Sequence, residues 1–334
     1  MRNLITVVVC GISLLAGCGG GGSGGSTPIA LGSAASKLFV ADAGNSSISS
    51  TVNVDPPSGT LTFDRTIKGT STQLSNNVSG LAIDRSRNLL YVANGNSILV
   101  FKNAGSANCN VDPNQANAGA VIRSGDFGNI VSLYLDAVHD VLYAGDAAKG
   151  VWIIHAASTQ SGTITPDRSV TGNFGAVSFV IHDVFVDTAR DLLYVSRTAS
   201  ASEILVFSSA STVNGSSITP LHTITPSPAM SLRSIVVDIG RDDLYAADTA
   251  SNTVVVFAGA STADGPAVSA NRIIDWGSRV DDLAIDTAND KLYAITALNM
   301  FILYDAHRLN GSVMPTKTLS APSGSNLSAL AINP

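Results

Sequence analysis

The chain has 334 residues, 45% of them hydrophobic and only 13% charged, with a formal net charge of −6 at pH 7. That composition excludes an intrinsically disordered chain, which needs low hydrophobicity and high charge. The mild acidity and the absence of any Lys/Arg cluster exclude a nucleic-acid partner, whose phosphates need a basic surface.

The chain opens with "MRNLITVVVCGISLLAGC", where Arg2 precedes an apolar run over residues 4–16. A membrane-spanning helix needs roughly 20 apolar residues, so this run is too short. Its length and basic flank are those of a signal-peptide core. Leu15-Ala16-Gly17-Cys18 then resembles the lipobox of bacterial lipoproteins. The resemblance implies removal of residues 1–17, acylation of Cys18 by diacylglycerol, usually with a third chain on its amine, and residence at the bacterial cell envelope. Gly19, standing where an Asp would favour retention in the inner membrane, points to the outer membrane. Two or more acyl chains, at about 0.8 kcal/mol per buried CH₂, anchor a protein stably. The following "GGGGSGGS" has no side chains to pack, so residues 18–35 read as the lipidated cysteine and a flexible tether.

From residue 36 to 334 the chain repeats itself about every 50 residues. "LAIDRSRNLLYVAN" begins at Leu81 and "IVVDIGRDDLYAADTASNTVVVF" at Ile235. Asp84, Asp136, Asp187, Asp238 and Asp286 fall in register, and Tyr91, Tyr143, Tyr194, Tyr245 and Tyr293 follow seven residues later. Val, Ile, Leu and Tyr dominate, punctuated by Asn, Asp, Gly and Ser, which is strand and turn chemistry.

Each unit reads as four strands. In the best-defined units the first covers 81–83 or 235–237, the second 89–93 or 243–247, and the third 98–101 or 253–257. An Asn-Gly turn after Ala93 suits a hairpin. The fourth strand is more polar and carries one basic residue: Arg65, Arg123, Arg168, His222, Arg272 or Lys317. Near-continuous apolar runs imply sheets covered on both faces. The basic fourth strands read as exposed edges protected by charge.

Four-stranded units repeated around an axis make an all-β fold, the β-propeller. Residues 36–54 match a second and a third strand with no first, whereas 327–334 match a first strand alone, with Asn333 in the Asp position. The C-terminal strand is therefore expected to complete the N-terminal blade, giving six blades in a closed ring. The pattern "LAIDxxxxLLYVAN" resembles NHL-type and YVTN-type propeller repeats, a resemblance covering about residues 36–334. It implies the fold and a range of roles, from binding modules to lactonase-like enzymes, without choosing among them.

Residues repeated in every blade are structural: the Asp closes the turn after the first strand, and the Tyr packs between blades. Function belongs where the units differ. The residues entering each first strand are Ser79-Gly80, Val131-Ser132, His182-Asp183, Arg233-Ser234, Asp281-Asp282 and Ser328-Ala329. Three consecutive blades thus bring His182, Asp183, Arg233, Asp281 and Asp282 to one half of the channel mouth, opposite a small and nearly uncharged half. Clustered carboxylates suit Ca²⁺ or Mg²⁺. Cys109 has no Cys partner and no neighbouring His or Lys to activate it, so it reads as an incidental loop thiol.

No nucleophile elbow, zinc motif or paired Cys is present, and no catalytic residue is assigned. The expectation is a monomeric, lipid-anchored envelope propeller that binds or scaffolds a protein or polysaccharide. The alternative is a metal-dependent lactonase-like hydrolase acting at the mouth. That enzyme needs several carboxylate and amide ligands at the axis, where the sequence offers Asp183 and Asp282, with Glu203 the sole Glu nearby.

Overall fold

A computed structural model describes residues 37–172 and 178–332. The expected signal peptide, Cys18 with its tether, and Asn333 lie outside the described residues. Six antiparallel sheets follow one another along the chain as blades. In blade 2, Val78–Asp84 pairs with Leu89–Asn94, that strand with Ser97–Lys102, and the third with Gly119–Arg123. Blades 3, 4, 5 and 6 repeat this order from first strands Ile130–Asp136, Val180–Asp187, Leu232–Asp238 and Asp282–Asp286.

Blade 1 is built from both ends of this region. Leu327–Ile332 pairs antiparallel with Leu38–Asp42, setting Ala331 opposite Phe39 and Leu330 opposite Val40. The chain is therefore the expected six-bladed β-propeller, closed by its C-terminal strand. Leu327, Ala329 and Leu330 are all buried there.

The core lies between the blades. Six apolar clusters occupy the six interfaces; between blades 2 and 3, for example, Tyr91 and Val100 meet Leu133 and Ile154. All five repeated tyrosines are at most 2% exposed, and Phe39 takes the equivalent place in blade 1. Each buried aliphatic contributes about 1.5–3 kcal/mol, which is why every blade presents two apolar faces. The repeated Asp is structural, as expected: Asp187 accepts from the backbone N–H of Ala189 and Arg190 and pairs with the Arg190 guanidinium at 2.7 Å.

Three features depart from the sequence reading. First, the outer edges of the blades are covered. The loop before each fourth strand lays a short segment parallel to the fourth strand of the preceding blade, placing Gly162 beside Ile122, Gly215 beside Val170, Gly265 beside Ile224, Gly311 beside Ile274 and Gly59 beside Leu319. These glycines all have φ between 74° and 142°, a backbone region other residues enter only under strain. In blade 2 the same place belongs to Cys109, beside Ile67 at φ 60°. Cys109 thus holds a strand-exchange position through its backbone.

Second, most of the fourth-strand bases do not guard an edge. Arg65, Arg168, His222, Arg272 and Lys317 stand two residues before the aliphatic that meets this exchanged segment. Arg168 donates to the carbonyls of Ala210 and Val213, Arg272 to those of Ala306 and Leu309, and Lys317 to that of Asp55. Each of those three reaches into the next blade's loop and ties two blades together. Arg123 is out of this register and exposed, bonded to Gln73 at 3.0 Å.

Third, a further polar repeat supports the loops. Asn88, Asp140, Asp191, Asp242 and Asp290 hold φ between 54° and 60°, and their side chains cap the loop after the third strand. Asp242, for instance, accepts from the Ser261 N–H and hydroxyl at 3.0 and 2.7 Å.

Candidate functional site

The six first strands line one central cavity of about 1110 Å³, and all five residues expected at the mouth border it. A register shift recurs where these strands enter the ring, at Ser79, Val131, His182, Arg233-Ser234 and Ser328. Such bulges re-aim side chains, and here they mark the level at which the six units differ most.

The five residues fall into two layers. Asp183 and Asp282 form the inner one, sharing a level with Gly80, Ser132, Ser234 and Ala329. Asp183 accepts from the Ser132 hydroxyl of blade 3, from Val184 N–H at 2.8 Å, and from Ile235 N–H of blade 5 at 2.7 Å. The Ser234 hydroxyl also neighbours Asp183. Asp282 repeats the pattern with the Ser234 hydroxyl at 2.7 Å, Leu283 N–H at 2.9 Å and Leu330 N–H of blade 1 at 2.7 Å. Ser234 thus stands between two carboxylates, and each carboxylate bridges the blades on either side of it.

Burial, and then the charge of Asp183, pushes Asp282 up to about 7. Burial likewise pushes Asp183 upward, against the downward pull of its hydroxyl and N–H donors. Near neutral pH the pair is therefore poised to hold a proton, because two like charges in one half-buried site cannot both ionise freely.

His182, Arg233 and Asp281 make the outer layer. The His182 Nε2 lies 3.0 Å from the Thr198 hydroxyl. Burial, and then the Arg233 charge, pushes this imidazole down to about 4, so it is neutral at pH 7. Asp281 is paired with Arg279, whose Nε is 2.9 Å away. Arg233 is exposed, and among the described residues its guanidinium has no ion pair or hydrogen bond.

Asp183 and Asp282 meet through Ser234, and Asp281 stands outside that pair. Asp183 and Asp282 turn to donors in the ring, and Asp281 turns to Arg279. Asp183 accepts from three donors of the ring. Among the described residues no group of three or more His, Cys, Asp or Glu is gathered to hold a metal ion. Glu203 is likewise engaged, paired at 2.7 Å with the buried Arg197.

Sequence reasoning missed what lies two residues deeper. There Tyr134 and Phe185 pack with ring centroids 4.9 Å apart, while blades 1, 2 and 6 supply only Ala331, Ala82 and Ala284. Leu135, Ile83, Ile285 and Ile332 continue the lining beyond them. The cavity is thus polar at its mouth and apolar below, with an aromatic wall facing a wall of alanines. The signal was in the repeat, since Tyr134 and Phe185 are aromatic where the other four units have Ala or Val.

Comparison with known proteins supports the architecture alone. No protein family's sequence profile matches the chain, and no curated protein matches it. A solved structure titled "Crystal structure of Nidogen/Laminin Complex" superposes with a TM-score of 0.58 at 13% identity, covering 88% of this chain and 97% of that one. At that identity the likeness is one of fold.

Proposed function

We propose that this chain is a binding or scaffold propeller of the bacterial envelope. In this reading Cys18 carries the lipid, residues 18–35 are the tether, and the propeller presents its channel mouth to a protein or polysaccharide partner. The supporting observation is the composition of the mouth: Arg233, free of any intramolecular partner among the described residues, lines the cavity together with Val180 and Leu298, which are 47% and 61% exposed. Exposed apolar side chains beside an uncompensated charge are what a recognition surface offers, and arginine is enriched among residues that dominate binding. The similar solved structure is of a nidogen/laminin complex, so a propeller of this kind is known in a macromolecular assembly, which agrees with this reading without carrying it.

The hydrolase alternative is not favoured, because the axial carboxylates it would need as metal ligands are engaged by ring donors. The test has two arms. Metabolic labelling with a fatty-acid analogue should mark the wild type and not Cys18→Ser; equal labelling of both overturns the anchor. Crosslinking on intact cells, followed by purification in detergent, should recover a partner that Arg233→Glu with Leu298→Asp loses. Equal recovery by that variant overturns the mouth as the binding face.

A further inference from the structure

The cavity is larger than recognition at its rim requires. At about 1110 Å³ it exceeds the usual range of small-molecule pockets, about 300–1,000 Å³, and shares their design of apolar walls with a few placed polar groups. Its cross-section is lopsided. Tyr134 and Phe185 form one wall, and Ala82, Ala284 and Ala331 leave the facing side open. A planar apolar body is the shape that fills such a gap, since aromatic rings favour offset or edge contacts with flat partners.

Charge at the entrance selects the head group. The Arg279 charge is met by Asp281, and those of Asp183 and Asp282 by hydroxyl and N–H donors within the ring. His182 bonds Thr198. Among the mouth residues of the described structure, that leaves Arg233 as the uncompensated charge. A guanidinium offers its paired N–H groups to a carboxylate in a fork geometry that a point charge cannot match. Arg233 lies three residues before Val236, the blade 5 member of the aromatic level. At about 3.3 Å per residue their backbones are at most roughly 10 Å apart, and the register shift between them shortens this, so a carboxylate joined directly to a ring system lies within reach of the long arginine side chain.

We propose that the channel binds one flat, amphipathic carboxylate, its ring system between the Tyr134/Phe185 wall and the alanines and its carboxylate on Arg233. This site shares Arg233 with the proposed rim contact but requires neither the lipid anchor nor a macromolecular partner.

The test uses 2-naphthoate as probe, titrated calorimetrically into the purified propeller, with methyl 2-naphthoate as its uncharged counterpart. The wild type should bind one equivalent of 2-naphthoate and bind the ester about tenfold more weakly, as expected for loss of one charge-assisted hydrogen-bonded pair. Arg233→Gln should lower naphthoate affinity about tenfold and leave ester affinity unchanged. Ala284→Leu should abolish binding of both by filling the open side, while rim-dependent partner recovery persists, which separates failure of this site from failure of the proposed function. If Ala284→Leu does not fold, Ala331→Leu fills the same side and carries the same test. Absence of naphthoate binding at millimolar concentration overturns the proposal. So does ester binding equal to naphthoate binding, or an affinity indifferent to the filling substitution.

Discussion

The Asp183 carboxylate accepts a 2.7 Å hydrogen bond from the backbone N–H of Ile235, on the first strand of the next blade. Asp282 makes the same bond to Leu330, on the strand that closes the ring. Asp183 also takes the Ser132 hydroxyl and Asp282 the Ser234 hydroxyl of the preceding blade, so four of the six blade junctions are joined at the channel by these two half-buried carboxylates. Where Gly80 and Ala329 hold this level no carboxylate is available, and beside Gly80 the Ser79 hydroxyl bonds the Ile130 carbonyl of the next blade at 2.9 Å instead. A carboxylate placed to bridge blades also titrates, and its titration is felt by the whole ring.

That linkage gives the first prediction. The folded-state pKa of Asp282 is raised to about 7 from an ordinary 3.8. Its protonated form therefore favours the fold fully below about pH 4, and the contribution is lost as pH rises through about 7. Depressed carboxylates act in the opposite sense: against the upward pull of burial, the N–H of Asn326 and the side chain of Asn45 hold Asp42 low, so its contribution is lost in acid. The difference in melting temperature between wild type and Asp282→Asn isolates the one group. Wild type should lose ground to the variant between pH 4 and 7 and hold a constant offset above about pH 8. In Asp183→Asn the fall should move to lower pH, because the charge opposing Asp282 ionisation is gone. An offset constant from pH 4 to 8 would show that Asp282 titrates normally.

Ring closure is tested by truncation. Removing residues 327–334 takes the first strand from blade 1 and uncovers Leu38 and Val40. Losing Leu327 and Leu330 alone forfeits about 1.5–3 kcal/mol each, before any cost to the strand they cover. Denaturant unfolding should show a single transition displaced to much lower midpoint, since every blade depends on two neighbours. A midpoint within a few tenths molar of the full-length chain would contradict closure through this strand.

Arg272 should matter far more than an exposed edge arginine. Its guanidinium meets Asp243 at 2.6 Å and two carbonyls of blade 6, with 16% of its side chain exposed. Arg272→Ala leaves those acceptors without their donor and should cost about 2–3 kcal/mol, in the range for hydrogen bonds to charged groups. Arg123→Ala, at an exposed position, should cost at most about 0.5 kcal/mol. Equal costs in urea titrations would return Arg272 to a surface role.

Cys109 offers a backbone test. It holds φ 60° at the one strand-exchange position without glycine. Cys109→Gly relieves local strain while loosening the unfolded chain, so its stability should stay within about 1 kcal/mol of wild type. Cys109→Val forces a β-branched residue into the left-handed region and should cost about 1–2 kcal/mol. A neutral Val variant would mean the exchanged segment tolerates rearrangement.

Blade number, strand order and closure were legible in the chain because each blade solves the same packing problem. An apolar strand buried on both faces leaves a contiguous apolar run, and the recurring Asp and Tyr keep its register from Asp84 to Tyr293. The entrance residues could likewise be read, since His182, Arg233 and Asp281 interrupt a repeat that is otherwise uniform. What those residues meet was settled only in three dimensions. Ser132, Asp183 and Ile235 belong to three blades, as do Ser234, Asp282 and Leu330, and nothing local to any one of them announces the other two. The same holds for Arg168 and Arg272, whose acceptors are carbonyls of the following blade, and for the alanines that face Tyr134 and Phe185 across the channel. Periodicity along a chain records which faces must be buried. Hydrogen-bond partners and cavity shape depend on how separate strands meet around the axis, which is a property of the closed ring.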